Sequence, residues 1–216
     1  MHAVLIIETS TEAASVALAV DGEIVAEKSF LSDRRHNALL FAPLAEIVRI
    51  HGGKSFDAVL VGSGPGSYSG TRVGVAAAQG AALVAGCKAV AIPSILAVPA
   101  ALSGGKCLAV GDARRGSFWL ADIDQGRLSG GLTLTDASGL DSALRLAGEA
   151  AVRVSSSDRF VGREIPFALP SAVGLWQAWH NATPQDRAIW AGRTPQPIYL
   201  AQPHITASKK ATYGRQ

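Results

Sequence analysis

The segment Ser63-Gly64-Pro65-Gly66-Ser67-Tyr68-Ser69-Gly70-Thr71-Arg72-Val73-Gly74 concentrates the residues of this chain best suited to chemistry. It follows a short apolar run, Ala58–Val61, and precedes an alanine-rich run, Val75 to Ala85. Strand, glycine-rich turn and helix in that order aim backbone N–H groups outward from a sheet edge, where an anion is received. Four glycines in eleven residues cost backbone entropy, so the turn must close tightly on something. A phosphate, another protein and the neighbouring strand all satisfy that requirement.

The spacing excludes the common phosphate loops. A P-loop needs four residues between two glycines and then Lys and Ser/Thr, and the segment has no lysine. Gly64, Gly66 and Gly70 form G-x-G-x-x-x-G, one residue longer than the dinucleotide fingerprint. A nucleophile elbow needs Ser two positions after Gly66, where Tyr68 stands. Neither a catalytic serine nor a Walker-type ATPase is supported.

Other reactive types are sparse. Thr9-Ser10-Thr11 ends the apolar run Val4 to Glu8 and offers hydroxyls at a strand end. Asp112, Arg114 and Arg115 sit on a turn ending in Gly116. They fit an active-site cluster, a solvated ion-pair surface or a partner contact, and a turn favours the last two. The histidines, at 2, 36, 51, 180 and 204, show no i,i+4 pair, so no helical metal site is expected. His36 reads as a polar helix-start residue. Cys87 and Cys107 lack metal spacing and are expected as buried thiols of a cytosolic chain.

The 216 residues, 48% hydrophobic and 17% charged, suit one large or two small soluble units. The net charge of +3 permits nucleic-acid contact without marking a dedicated binder. The most apolar stretch, Val73 to Ala91, is interrupted by Gln79, Gly80, Gly86 and Lys88, so a buried helix plus strand is expected rather than a membrane span. Met1-His2-Ala3-Val4 carries no basic region, so no signal peptide is expected.

The elements that must hold these residues follow from periodicity and punctuation. Strands are expected over Val4–Glu8 and Ser15–Val20, then a turn at Asp21-Gly22 and a returning strand over Glu23–Phe30. Antiparallel strands before any helix argue against a Rossmann domain. Leu39, Leu40, Leu44, Ile47 and Val48 share one face of a helix over His36–His51, with Pro43 as a kink or a shifted start. After the strand Ala58–Val61, a second helix runs from about Gly70 to Ala85. Its small face, Gly74, Ala77, Ala78, Ala81 and Ala82, packs either on the domain's own sheet or on another molecule. A strand over Lys88–Ile92 and a helix capped by Ser94 and reaching Leu102 come next. Ser103-Gly104-Gly105 is the expected boundary between subdomains 1–104 and 105–216. Beyond it, strands over Cys107–Val110 and Ser117–Ile123, a helix near Ser142–Ala147, a strand near Val152 and a helix near Ala172–Asn181 are expected. The prolines at 184, 195, 197 and 203 then suggest an extended tail, and its few charges, Lys209, Lys210 and Arg215, read as a solvated end.

Three strands, then helix, strand and helix, then a second unit, is the order of the actin-like (ribonuclease-H-like, ASKHA) α/β fold with two subdomains. With Ile7-Glu8-Thr9-Ser10-Thr11, the glycine loop and Asp112-Ala113-Arg114-Arg115-Gly116 in this order, the chain resembles the bacterial TsaB (YeaZ) family. That family reads Asp-Thr-Ser-Thr, Gly-Pro-Gly-Ser-Phe-Thr-Gly-Leu-Arg-Ile-Gly and Asp-Ala-Arg-Arg-Gly at these places. Arg35-His36 and Pro197-Ile198-Tyr199-Leu200 also look like family features. Here Glu8 replaces Asp, Tyr68-Ser69 replaces Phe-Thr, and Thr71 replaces Leu.

The resemblance implies a non-catalytic partner subunit in tRNA threonylcarbamoyladenosine synthesis. It implies a catalytic, TsaD-like subunit that modifies the adenosine beside the anticodon, a TsaE-like ATPase subunit, only indirect contact with tRNA, and a cytoplasmic location without membrane contact. It also implies a partner surface on the two helices flanking the glycine loop, with His36, Leu40, Leu44, Arg72, Gly74, Ala78 and Ala81, and self-association there when the partner is absent. No catalytic residue, intrinsic cofactor or metal is expected. ATP or ADP is expected, if anywhere, at the subunit junction, with Thr9, Ser10, Thr11, Gly64 and Gly66 as candidate contacts. The phosphate turns look degenerate: Thr9 stands where the first needs glycine, and the second half has no Asp-x-Gly-Gly. The rival reading is an actin-fold kinase or ATP-dependent carbamoyltransferase using Ser10, Thr11 and the glycine loop. A second rival, a peptidase, lacks both metal pair and nucleophile elbow.

Overall fold

A run such as Ala3-Val4-Leu5-Ile6-Ile7 has no polar face, so its strand must be covered on both sides. The computed structural model, which describes residues 2–32 and 39–200, shows how. Strand β1 (Ala3–Glu8) lies at the centre of a five-stranded sheet. It pairs antiparallel with β2 (Ala13–Val20), which pairs antiparallel with β3 (Glu23–Leu31). On its other side β1 pairs parallel with β4 (Ala58–Gly62), and β4 with β5 (Lys88–Ile92). The order is β3-β2-β1-β4-β5. The β2–β3 turn places Asp21 at φ +50° and Gly22 at φ +94°, the left-handed pair that matches strand twist in a two-residue hairpin.

Helices α1 (Phe41–Ile50) and α2 (Tyr68–Ala85) cover one face of this sheet. There Leu5, Ile7, Val59 and Val61 meet Leu40, Ile47, Val75, Ala78 and Ala82. The alternate residues Val4, Ile6, Leu60 and Ile92 join a second core with Ile95, Leu96 and α5 (Ala172–Asn181). That core continues into a second sheet of order β10-β6-β7-β8, with β9 also on β7. Its strands are β6 (Cys107–Arg114), β7 (Ser117–Asp124), β8 (Arg127–Leu128), β9 (Thr133–Thr135) and β10 (Ala151–Arg153). Helix α4 (Ala137–Ala147) covers its far face through Leu140, against Val110, Phe118 and Phe160. Helix and sheet layers therefore alternate through the molecule, as the actin-like fold requires.

Several boundaries differ from the sequence expectation. Pro43 accompanies a break in the helix: Leu39 is helical, Leu40 is a bend, and α1 runs from Phe41 with Pro43 in its first turn, where a missing N–H is harmless. His36 lies outside the described residues. Helix α2 starts two residues early, at Tyr68, because Ser67 caps it by accepting from Gly70 N–H. The helix expected from Ser94 to Leu102 is broken. Residues Ser94–Ala97 form a 3₁₀ turn, Val98 is extended, and only Pro99–Leu102 (α3) is α-helical. Helix α4 begins at Ala137, capped by Asp136. The extended tail is corrected too. Pro184 occupies the first turn of α6 (Pro184–Ala191), whose cap, Thr183, accepts from Asp186 N–H. Cys107 is buried, but Cys87 is only half-buried.

A division of the chain at residue 104 does not describe this architecture. The strands of the two sheets separate there, but α5 returns to the first sheet, against β1, β2 and β4, and α6 against β5. The first unit is thus discontinuous in sequence.

The small face of α2 is two faces. Gly74 and Ala78 are buried on the sheet, whereas Arg72, Ala76, Gln79, Gly80, Leu83 and Val84 are exposed. Ala78→Trp is therefore expected to overpack the core and destabilise the monomer by at least about 1–3 kcal/mol. Ala76→Trp, one helical position class away, should leave the urea midpoint of the monomer nearly unchanged. Equal midpoints for both variants would overturn this assignment of faces.

Candidate functional site

Glu8, Thr9 and Ser10 close β1 with no solvent exposure. Glu8 Oε1 accepts from Ser10 N–H at 2.6 Å. Its Oε2 and the Ser94 hydroxyl both lie against the Gly62 α-carbon, so tightly that a β-carbon there would strike them. Oε2 makes no hydrogen bond of good geometry, nor does Ser10 Oγ. Burial pushes the Glu8 carboxyl above its ordinary value, and hydrogen bonding from Ser10 and Ser94 opposes this only in part.

The glycine loop folds onto that turn. Ser67 N–H donates to the Ser10 carbonyl at 2.6 Å, and a β-carbon on Gly66 would collide with the same carbonyl. Thr9 Oγ1 donates to the Gly70 carbonyl at 2.9 Å, and a β-carbon on Gly74 would strike that hydroxyl. Gly64 N–H donates to Ser94 Oγ at 2.9 Å, and Ser94 N–H to the Gly64 carbonyl at 2.8 Å. At the start of α2, Gly70 N–H is taken by Ser67 Oγ and Thr71 N–H by the Ser67 carbonyl. The glycines serve close backbone approach, and Gly64 also adopts φ +87°.

An actin-like fold implies a nucleotide whose phosphates meet this turn. The residues do not fit one. Thr9, Ser10, Thr11 and Gly64 are buried, and of the five candidate contacts Gly66 alone is exposed. The Thr9 hydroxyl and two of the N–H groups at the start of α2 already have partners within the chain. The candidate nucleotide contacts at Thr9, Ser10, Thr11, Gly64 and Gly66 are corrected accordingly: the loop binds its neighbouring strand end.

The Asp112 turn is also internally satisfied. Its nearly buried carboxylate accepts from Arg114 N–H at 2.7 Å, Ser157 Oγ at 2.8 Å and Arg159 Nη1 at 3.0 Å. Burial acts against the charge, but these donors together hold the carboxyl below its usual range. Arg159 also stacks on Phe118, with Cζ 4.5 Å from the ring centroid. Arg114 and Arg115 take left-handed φ of +67° and +49° at the hairpin tip. Among the described residues, no cluster of three or more His, Cys, Asp or Glu is placed to hold a metal. No described helix is long and apolar enough to cross a membrane.

The expected partner surface divides. Leu40, Gly74 and Ala78 are buried, Leu44 and Ala81 are half-buried, and Arg72 alone of the described set is fully exposed. A residue buried in the chain's own core is not open to a partner, so Leu40, Gly74 and Ala78 are corrected to core, while Leu44 and Ala81 lie at the margin between core and surface. The outward residues of α1 and α2 are instead apolar: Phe41, Val48 and Ile50 on α1, and Leu83 and Val84 on α2, which are 83% and 91% exposed. The pairing of Leu83 with small Ala76 and Gly80 at i−7 and i−3 was the sequence signal for this stripe. Alanine fills both faces of α2, so periodicity alone does not choose between them.

Fold and site together define an actin-like α/β protein whose phosphate-type loop is closed on its own strand end and whose flanking helices expose an apolar face. The chain belongs to the family described as "TsaD: tRNA N6-adenosine threonylcarbamoyltransferase", whose model matches residues 31–158. It is 33% identical over 128 residues to the "tRNA threonylcarbamoyladenosine biosynthesis protein TsaB" of Escherichia coli K12, over 56% of this chain and 55% of that protein. It is 38% identical over 96 residues to the TsaB of Haemophilus influenzae, over 44% of this chain and 40% of that protein. The match thus spans about half the length of these curated relatives or less. Among solved structures, YeaZ from Pseudomonas aeruginosa superposes with a TM-score of 0.73 at 22% identity, covering 93% of this chain and 100% of that one. A second Pseudomonas aeruginosa structure, described as similar to peptidase YEAZ, gives a TM-score of 0.75 over the same coverage, also at 22% identity. These two likenesses show the fold, and both curated relatives carry the name TsaB.

Two outcomes follow from the closed turn. Gly66→Val should lower stability by about 1–3 kcal/mol or more, because the side chain has only the Ser10 carbonyl to displace. A Gly66→Val protein with an unchanged melt would overturn that contact. Glu8 supplies a pH test. Its folded carboxyl titrates above the unfolded one, so the folded chain holds the extra proton and stability falls as pH rises from the unfolded value through the folded value. Glu8→Gln removes that loss, so the variant's urea midpoint should gain on the wild type as pH rises above the ordinary carboxylate value. A difference that is flat or shrinks with pH would contradict a raised carboxyl.

Proposed function

We propose that this chain is a non-catalytic subunit in the biosynthesis of threonylcarbamoyladenosine in tRNA, acting by binding a catalytic, TsaD-like subunit. The observation that carries this reading is the closed glycine loop beside an exposed apolar helix face. Several of the loop's polar groups are taken by the neighbouring strand end, the Ser94 turn and the Ser67 cap, so the segment builds the start of helix α2, and α2 presents the surface. The curated relatives' names supply the pathway. A TsaE-like ATPase would join the resulting complex, tRNA would be met through the catalytic subunit, and a cytoplasmic setting follows from that substrate. Self-association through the same face is its default when the catalytic subunit is absent. Nucleotide, where it acts, would sit on a partner or at the junction.

The peptidase reading gains nothing from the site. His2, His51 and His180 bond to the Asp21 carboxylate, the Ser55 carbonyl and the Trp176 carbonyl, not to a serine or cysteine side chain.

The experiment is reconstitution with the TsaD-like and TsaE-like proteins of the same genome, tRNA and threonylcarbamoyl-adenylate. The chain alone should not modify tRNA, and the complete mixture should. Leu83→Asp should abolish complex formation and modification while the monomer's stability stays within about 0.5 kcal/mol of wild type, since the residue is exposed. Turnover by the isolated chain, or full activity of Leu83→Asp, would refute the proposal.

A further inference from the structure

The exposed face of α2 has one charged side chain. Arg72 is the sole ionisable group of its kind among the 18 residues of the helix, and among the described residues no carboxylate lies within ion-pair distance of it. It is nevertheless held. Its Nη1 donates to the Tyr68 hydroxyl at 2.9 Å, and its Cζ lies 5.0 Å from the Tyr68 ring centroid. Tyr68 in turn meets Tyr199, with centroids 5.9 Å apart.

Tyr199 arrives on a segment from the far end of the chain. Ile198 N–H donates to the Ser63 carbonyl at 2.8 Å, and Gln79 Nε2 to the Pro195 carbonyl at 3.0 Å. The strap is thus tied at one point to the glycine loop and at another to the exposed face of α2. Both backbone anchors precede Tyr199, the nearer on the adjacent residue, and the ring itself rests against Tyr68.

Resting on the function proposed above, we propose that Tyr199, acting through Tyr68, positions Arg72 to receive a carboxylate of the partner subunit, and that this selects the partner over a second copy of this chain. An arginine fork pairs with a carboxylate through two parallel hydrogen bonds, which rewards preorganisation. Arginine and tyrosine are also the types that dominate interface energetics. The charge on the face is complementary to an acidic partner and not to itself. Helix α1 adds Arg49 to it, and the one acid of α1, Glu46, is already paired with Lys28 at 2.7 Å. A second copy brings more arginine and, from these two helices, no free carboxylate. An apolar surface carrying an unpaired Asp or Glu brings the missing charge. Tyr199 is a positioning residue in this scheme, because it touches Tyr68 rather than the partner's carboxylate.

The test uses the full chain and the TsaD-like protein of the same genome, with Kd measured across ionic strength and self-association measured by sedimentation. Arg72→Ala should weaken the hetero-complex about 30-fold and flatten its salt dependence. Arg72→Lys should recover only part of this, since the fork is lost. Tyr199→Ala should weaken binding about three- to tenfold at an unchanged melt, and Tyr199→Phe should bind like wild type. Tyr199→Ala should add nothing on top of Arg72→Ala, as expected of coupled residues. Self-association should be unaffected or strengthened by Arg72→Ala. Tight wild-type binding with no effect of Arg72→Ala, or an additive effect of Tyr199→Ala, would overturn this inference alone. Equal weakening of self-association would overturn its selectivity. No binding by the wild-type chain would overturn the proposed function and this inference with it.

Discussion

The contact between the end of β1 and the glycine loop decides most of what this molecule is. The Ser10 carbonyl takes the Ser67 N–H at 2.6 Å, and the Gly66 and Gly74 α-carbons lie where any side chain would collide with Ser10 or Thr9. That approach is possible only with hydrogen for a side chain. It brings the central strand, the start of α2 and the Ser94 turn into one buried polar junction, with Glu8 at its centre. Such a junction is stabilising only when its groups are satisfied. Burial raises the Glu8 pKa, and the protonated carboxyl it favours meets that condition better than a charged one.

Closing the loop in this way uses part of what makes a strand–glycine–helix unit an anion site. Such a site needs free N–H groups at the helix start. Here Ser67 satisfies those of Gly70 and Thr71. The same device fixes the rotation of α2 about its axis, because Gly74 must face Thr9 and Ala78 must face the sheet. What remains outward is Arg72, Ala76, Gln79, Gly80 and Leu83. A ligand-type loop has become the foundation of a recognition face.

The second half of the chain stabilises this arrangement from behind. Helix α5 fills the space between the sheets with Leu175, Trp176 and Trp179, and its cap, Ser171, is followed by Ala172, whose N–H donates to Ser15 Oγ on β2 at 2.8 Å. The Trp176 indole donates to the Gly22 carbonyl at 3.2 Å. The strap that follows α6 then bonds the Ser63 carbonyl. An early and a late segment of the chain therefore meet at the glycine loop. Asp112, with Arg159 and Ser157, does for the second sheet's hairpin what Glu8 does for the first sheet, but with a charged carboxylate, since its donors include a guanidinium.

The sequence by itself determined the local elements and the order that marks the fold. The bounds of strand β5 and helix α5 were legible to the residue, β5 because Lys88 leads a short apolar run, Ala89–Ile92. The Asp21-Gly22 turn was legible because left-handed φ at both positions selects those residues. The glycine loop announced a close approach but not its object. Alanine on both faces of α2 left its rotation open, so Gly74 and Ala78 were assigned outward when they face the sheet. Pro184 was read as a breaker because a first-turn proline and a loop proline look alike until Thr183 and Asp186 form their cap. Those choices belong to the tertiary structure. A hydrogen bond between residues sixty positions apart, such as Thr9 to Gly70, has no trace in local spacing. It exists only once the sheet has brought two strand ends side by side.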